Sequence, residues 1–398
     1  MTPQPIKANP LSRITSRVSL LAFSVSTIAL MLGAPTPALA TDWADKIQLN
    51  GFGNWSSGWS DGSNRYSGAE PGGSYDNLEV VVSMQVDLGE NFQAVIQPFV
   101  GKHSGFGEDE EFEFELELAF LGWQVSDQSQ LRLGRLRLPF GYYTEVYDSG
   151  VSRPFVNLPQ SVYGPSHFVA ESIDGAEFSG QLGIGNTWNL SYHLYAGSME
   201  FEVLEPHKCW LEVDTCHFEE ALDDVVGGQL VVATDGGFRA GLSFYTGTVP
   251  REVTEEEKSR EVVGAYASYD SVKLWLRAEF VRGEGESSGE HAEGAFIELA
   301  YRVRPQWQVA TRWESLQDHI SDSEEAELGP FSSLLDHQEV AVGLNYWPSS
   351  NVVFKLSHHW IADNHLALPE DFLDLLGNDG AVIEDRTRAW YLGASYFF

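Results

Sequence analysis

The stretch "EFEFELELAF", Glu111 to Phe120, decides how the chain folds. Glu111, Glu113, Glu115 and Glu117 take every second position, and Phe112, Phe114, Leu116, Leu118 and Phe120 fill the positions between. A period of two puts successive side chains on opposite faces of an extended strand. One face is charged and the other apolar. The fold must supply water to the first and an apolar medium to the second.

The same pattern recurs from Lys46 to the C-terminus. "VVVSMQVDLG" runs to Gly89 and "NFQAVIQPFV" follows it; "EFELELAFLGWQV" is separated from "QLRLGRLRL" by Ser126-Asp127-Gln128-Ser129. Later segments meet tightly at Gly183–Asn186, Thr234–Gly237, Tyr269–Val272, Arg304–Gln306 and Pro348–Asn351. The intervening connections are long: 56–76, 101–110, 139–171, 199–224, 248–260, 283–292, 317–337 and 362–385. Strict alternation of short and long connections sorts all tight turns to one end and all long loops to the other. That pattern predicts an all-β fold, a transmembrane up-and-down antiparallel β-barrel of about sixteen strands with a long third outer loop. A soluble sandwich does not sort its loops in this way. Glu111, Glu113, Glu115 and Glu117 then form an acidic row facing a water-filled lumen, and the Phe and Leu residues face lipid. A barrel of this size encloses an aqueous channel.

The ends of the chain agree with that expectation. Lys7, Arg13 and Arg17 precede an apolar run over Ser19–Leu32, and Ala38-Leu39-Ala40 offers small residues for cleavage. Residues 1–40 read as a secretory signal peptide and 41–398 as the barrel domain. At the other end Trp390, Leu392, Ala394, Tyr396 and Phe398 share one face. This resembles the closing strand of outer-membrane proteins, whose terminal aromatic residue is read by the assembly machinery.

The chain carries 58 acidic residues against 24 Lys and Arg, a formal charge of −34. Such a field repels phosphates, so nucleic acid is excluded as a partner. Aromatic residues at 13% and regular strand patterning exclude a disordered chain. Cys209 and Cys216 sit in one polar segment, where an exported chain forms a disulfide. A metal site using nearby His207 and His217 is the alternative. No cofactor or resident metal is expected.

Taken together, residues 46–398 resemble a bacterial porin. "LRLGRLRLPFGYYTEVYDSG", followed by Ile173-Asp174-Gly175-Ala176, is similar to the phosphate-selective porin O/P group. The resemblance implies the porin barrel and a homotrimer. That group's anion selectivity depends on a dense arginine and lysine lining, and this chain is far poorer in both, so the solute stays open.

In porins the third loop narrows the barrel from within. Pro139–Glu171 suits that role, being rich in Tyr, Phe, Pro and Val, and would carry Glu145 and Asp148 to the constriction. Packing at a subunit contact is the alternative. Strand parity turns Arg239, Lys273, Arg277, Glu279, Arg312 and Lys355 inward, with Val272, Leu274, Leu276 and Phe280 toward lipid. For Arg132, Arg135 and Arg137 the parity breaks at Gly134, so a bulge is expected and their facing is open. Inward cations opposite loop carboxylates would set up a transverse field across the pore. Alternatively, Arg277 with Glu279 and Arg312 with Glu314 simply pair along one wall.

The long loops are acidic. Segments 317–337 and 362–385 contain no Lys or Arg, and 199–224 has Lys208 alone. Their charge would concentrate cations, hold divalent ions, or merely solvate the surface in a salty habitat. No Asp-x-Asp-x-Asp-Gly calcium loop is present.

The expected function is therefore passive diffusion of ions and small hydrophilic solutes. A channel selective for phosphate or another small anion is the alternative. Its surroundings would be a lipid bilayer and lipopolysaccharide. A barrel enzyme is disfavoured: "LSHHW" offers Ser357, His358 and His359, but there is no Gly-x-Ser-x-Gly elbow. A non-conducting structural barrel differs only in lacking conductance.

Overall fold

Alternating side chains organise the structure, a computed structural model describing residues 45–102, 112–147, 149–165, 168–207, 217–250, 258–284, 291–369, 372–375 and 383–398. The strands are β1 (Ile47–Ser60), β2 (Asn64–Arg65), β3 (Ser74–Gly89), β4 (Phe92–Lys102), β5 (Glu113–Ser126) and β6 (Ser129–Arg137). They continue with β7 (Ser172–Ile184), β8 (Trp188–Leu204), β9 (His217–Thr234), β10 (Phe238–Val249), β11 (Lys258–Asp270) and β12 (Leu274–Glu284). The last are β13 (His291–Arg304), β14 (Trp307–His319), β15 (Asp336–Ser349), β16 (Val352–Ala362), β17 (Leu368–Pro369) and β18 (Arg386–Phe397). Sixteen of them close into one antiparallel barrel in which each strand pairs with its neighbour in the chain, and β1 meets β18 at the seam. The expected strand count and the alternation of tight turns with long loops are both present.

β14 shows how the wall is built. Trp307, Val309 and Trp313 are exposed on the outer surface, while Gln308, Arg312, Glu314 and Leu316 are buried on the inner one. Apolar outside and polar inside is the inverse of a soluble protein, and it suits a wall between lipid and a polar interior. Aromatic rings pair near the tight turns, as in Phe92 with Trp123, Trp188 with Phe238 and Trp307 with Tyr346. Such girdles mark the level of a membrane interface. The chain end closes the seam: Phe398 and Gly51 exchange both backbone hydrogen bonds, at 2.9 and 3.0 Å.

The opening stretch departs from its expected facing at one point. Phe112, Phe114 and Leu116 are exposed on the outer surface, but Leu118 is buried and Phe120 packs against the interior cluster. Gln97 pairs with Leu118 and Pro98 with Leu116, leaving Glu117 as an extra residue in β5. Pro98 has no N–H to give the ladder, which favours a bulge opposite it. The bulge turns Leu118 and Phe120 inward and passes the outer face to Leu121 and Trp123.

The connection expected over 199–224 is also shorter than read. β8 and β9 stay paired from Met199 with Leu222 out to Leu204 with His217. Buried Met199, Phe201, Val203 and Leu222 give this acidic hairpin an apolar face. At the loop end, β2 and β17 form a small sheet joining the first long loop to the last. Asn64 reinforces it, donating to Glu384 O at 2.8 Å and to Thr387 at 2.9 Å. Glu111, Asp148, Cys209 and Cys216 lie outside the described residues, as does the leader over 1–40.

Candidate functional site

The third long loop, between β6 and β7, lies inside the barrel. Its apolar composition is used there: Phe140, Tyr143, Phe155, Leu158, Val162, Tyr163 and Phe168 are all buried. The loop enters through Gly141, whose N–H donates to Ser243 on β10 at 3.0 Å and whose carbonyl accepts from Gln229 on β9 at 2.8 Å. Gly141 has φ +70°, and a Cβ there would lie 2.3 Å from a Glu279 carboxylate oxygen, so only glycine fits.

Three tyrosines then dock on strand carboxylates. Tyr142 donates to Asp270 at 2.6 Å, Tyr163 to Glu279 at 2.6 Å, and Tyr143 to Glu298. The Tyr163 oxygen also accepts the N–H groups of Tyr142 and Tyr143 at 2.8 and 2.9 Å. Burial holds all three phenols above the ordinary range; for Tyr142 the Arg277 charge opposes this, while Asp270 adds to it.

The inward cations complete the clamp. Arg277 donates to Ser152 O at 3.1 Å, Arg312 to Asn157 O at 2.9 Å, and Lys355 to Gly150 O and Phe155 O at 2.5 and 2.9 Å. Asn345 adds a bond to Pro154 O at 2.9 Å. Aromatic rings cover the charges: Arg277 lies over Tyr142, Tyr143 and Trp275, and Arg312 over Phe155. Carboxylates neutralise the two arginines, Asp270 at 3.1 Å for Arg277, and Glu314 and Glu339 at 3.2 and 3.0 Å for Arg312. Parity therefore places Arg277, Arg312 and Lys355 inward, but they are buried beneath the loop as its anchors and do not line open water.

The remaining cations separate. Lys273 precedes β12 in an exposed tight turn, at the wrong end for a constriction, because Ser271–Lys273 is the β11–β12 connection. Arg239 keeps the inward parity of buried Ser243 and Tyr245 and is exposed. On β6 the expected bulge is absent: pairing runs unbroken through Phe120 with Gly134 and Gly134 with Gly175. Gly134 instead takes φ +132°, and a Cβ there would fall 2.2 Å from Ala119 O. Arg132 faces inward and pairs with Glu177, which His193 also contacts at 2.8 Å. Arg135 sits opposite buried Leu136, on the outer surface beside Asp174 at 3.8 Å. Arg137 reaches Glu117 and Glu171, each at 3.9 Å.

The acidic row divides likewise. Glu113 and Glu115 are exposed with inward parity, whereas Glu117 is buried at the bulge and accepts from Gln97 at 2.8 Å. Glu145, on the inner loop, is exposed. The pairing of Arg312 with Glu314 along one wall is found, at 3.2 Å, while Glu298, which holds the inner loop through Tyr143, and Glu339, which pairs with Arg312, were missed by the sequence reading. Their inward parity with Arg312 was the available signal.

One further chain of contacts bears on catalysis. Ser357 lies 2.9 Å from His359 Nε2, and His359 Nδ1 lies 2.9 Å from Glu339. Serine, histidine and carboxylate in this order resemble a hydrolytic triad. Ser357 and His359 are buried, however, and Phe155 covers His359 edge-on. His358 stays on the outer surface against Trp360 and Trp390.

No family model and no curated protein matches the sequence. Solved structures do. The outer membrane channel DcaP of Acinetobacter baumannii aligns with TM-score 0.56 at 9% identity, covering 88% of this chain and 97% of the other. The anion-selective porin from Comamonas acidovorans gives 0.54 at 12%, over 88% and 99%. OmpT, an outer membrane protein of Vibrio cholerae in its trimer form, gives 0.51 at 11%, over 88% and 99%. At such identities the likeness establishes the fold alone: this chain is a sixteen-stranded antiparallel barrel of the architecture found in outer-membrane porins.

Proposed function

We propose that the protein is a Gram-negative outer-membrane porin through which ions and small hydrophilic solutes diffuse passively, with a preference for cations. The observation carrying this reading is the loop inside the barrel, clamped by Arg277, Arg312 and Lys355. Those cations, which an anion-selective lining would need, are turned to holding the loop. Of the candidate residues on the inner side, Glu113, Glu115 and Glu145 are exposed against Arg239, and with the acidic loops they favour a negative field on the loop side of the pore. A phosphate-type channel would need other cations on its lining.

Residues 1–40 act as the export leader, Cys209 and Cys216 close a disulfide, and three copies assemble in the bilayer beneath lipopolysaccharide. Ser357, bonded to His359 beneath Phe155 of the inner loop, is a structural residue and not a nucleophile.

The test is the reversal potential of the purified protein in a planar bilayer under a salt gradient, at low and at high ionic strength. Cation preference is the expected result. Preference for anions with block by phosphate would replace this reading with the alternative, and absence of conductance would make the barrel structural.

A further inference from the structure

At the loop end, three segments distant in sequence bring nitrogen and oxygen donors to one point. His207 follows β8, Asp318 stands near the end of β14, and His365 lies between β16 and β18. His365 Nδ1 is 3.2 Å and His207 Nδ1 3.8 Å from the same oxygen, Asp318 Oδ2. One ligand atom from each residue falls within 4.8 Å of the other two. The three side chains are 0%, 4% and 8% exposed for His365, His207 and Asp318.

The geometry points to a divalent-cation site of the zinc class, formed by His207, Asp318 and His365, that clasps three loop-end segments together. Two imidazoles and one carboxylate are the donor set that a borderline cation selects over calcium or magnesium. Zinc bonds of about 2.0–2.1 Å at tetrahedral angles put neighbouring donors about 3.3 Å apart, and the two distances to Asp318 bracket that spacing. Nδ1 is the ligand atom of His365, and its 3.2 Å contact with Leu334 O is exchanged for the cation on binding. Without a cation the same contacts reduce to histidine–aspartate hydrogen bonds, so binding itself must decide.

The experiment uses the full barrel in detergent, stripped with EDTA and titrated with Zn²⁺ against a chromophoric chelator. One ion per chain is expected, with affinity falling at least tenfold in His365→Gln and in the near-isosteric Asp318→Asn. Heat-modifiable gel migration checks that each variant remains a folded barrel. Zn²⁺ should also slow proteolysis of the β8–β9 connection in the wild type but not in Asp318→Asn. Two controls should bind as the wild type does: His319→Gln, which breaks the stacked His291–His319 pair, and the double change Cys209→Ser, Cys216→Ser. Zn²⁺ binding that survives His365→Gln and Asp318→Asn, or that disappears in either control, overturns the assignment. So does failure of the folded wild type to bind.

Discussion

Lys355 donates to the backbone carbonyl of Phe155 at 2.9 Å although the two residues are two hundred apart in sequence. An ammonium 2% exposed normally needs a carboxylate, and here its recorded bonds go to carbonyls of the inner loop. The loop and the wall thus complete each other.

Lys355→Met tests that dependence. Two charge-assisted bonds disappear, each worth about 1.5–3 kcal/mol, and their carbonyls are left dry. Single-channel conductance should become larger and noisier as the loop loosens. A trace like that of the wild type would mean the loop is held elsewhere.

Arg312 is the costlier residue to lose. Arg312→Met strands Glu314 and Glu339 in a buried site, a loss of about 3–5 kcal/mol. Arg312→Lys should recover part of it. Denaturant unfolding followed by gel migration measures both, and equal stability of all three proteins would contradict the clamp.

Selectivity should follow the exposed charges alone. Glu145→Gln, or Glu113→Gln with Glu115→Gln, should shift the reversal potential toward anions, and Arg239→Gln should shift it toward cations. These shifts should shrink at high salt, where the Debye length falls to about 3 Å at 1 M.

Alkaline pH should unlock the loop. Tyr142, Tyr143 and Tyr163 ionise above the free phenol range because they are buried. Groups raised in this way stabilise the folded state fully below about pH 10, and that stability is lost as pH climbs toward their folded values. Absorbance at 295 nm should show these phenols lagging the exposed ones. Noise in the conductance should rise in the same window.

Gly134→Ala should weaken the barrel by about 1–3 kcal/mol, because the residue is held at φ +132° with a strand carbonyl where the methyl would go. Thermal unfolding at wild-type temperature would show that β6 can relax.

Ser357 should resist a fluorophosphonate probe, since it is 3% exposed. Covalent labelling there would revive the enzyme reading.

The strands were legible because their signal is local. A period of two needs only the strand itself, so the count of sixteen and the inward facing of Arg277, Arg312 and Lys355 could be read directly. The inward turn of Leu118 depended on Pro98 in the neighbouring strand, where a missing N–H forces the bulge. Knowing that Arg277 faces inward did not reveal that Tyr142 and Tyr143 would cover it. Whether a lumenal charge meets water or a loop is decided across the barrel, by residues far apart in sequence.

The β1–β18 seam carries a kinetic consequence. Every other ladder in the barrel joins consecutive wall strands, while this one joins the two ends of the barrel domain. Closing a loop about thirty times longer than a hairpin costs about 3 kcal/mol more in chain entropy. The seam should therefore form last during insertion and part first under force, so that an unfinished sheet with two free edges is the state most exposed to misassembly.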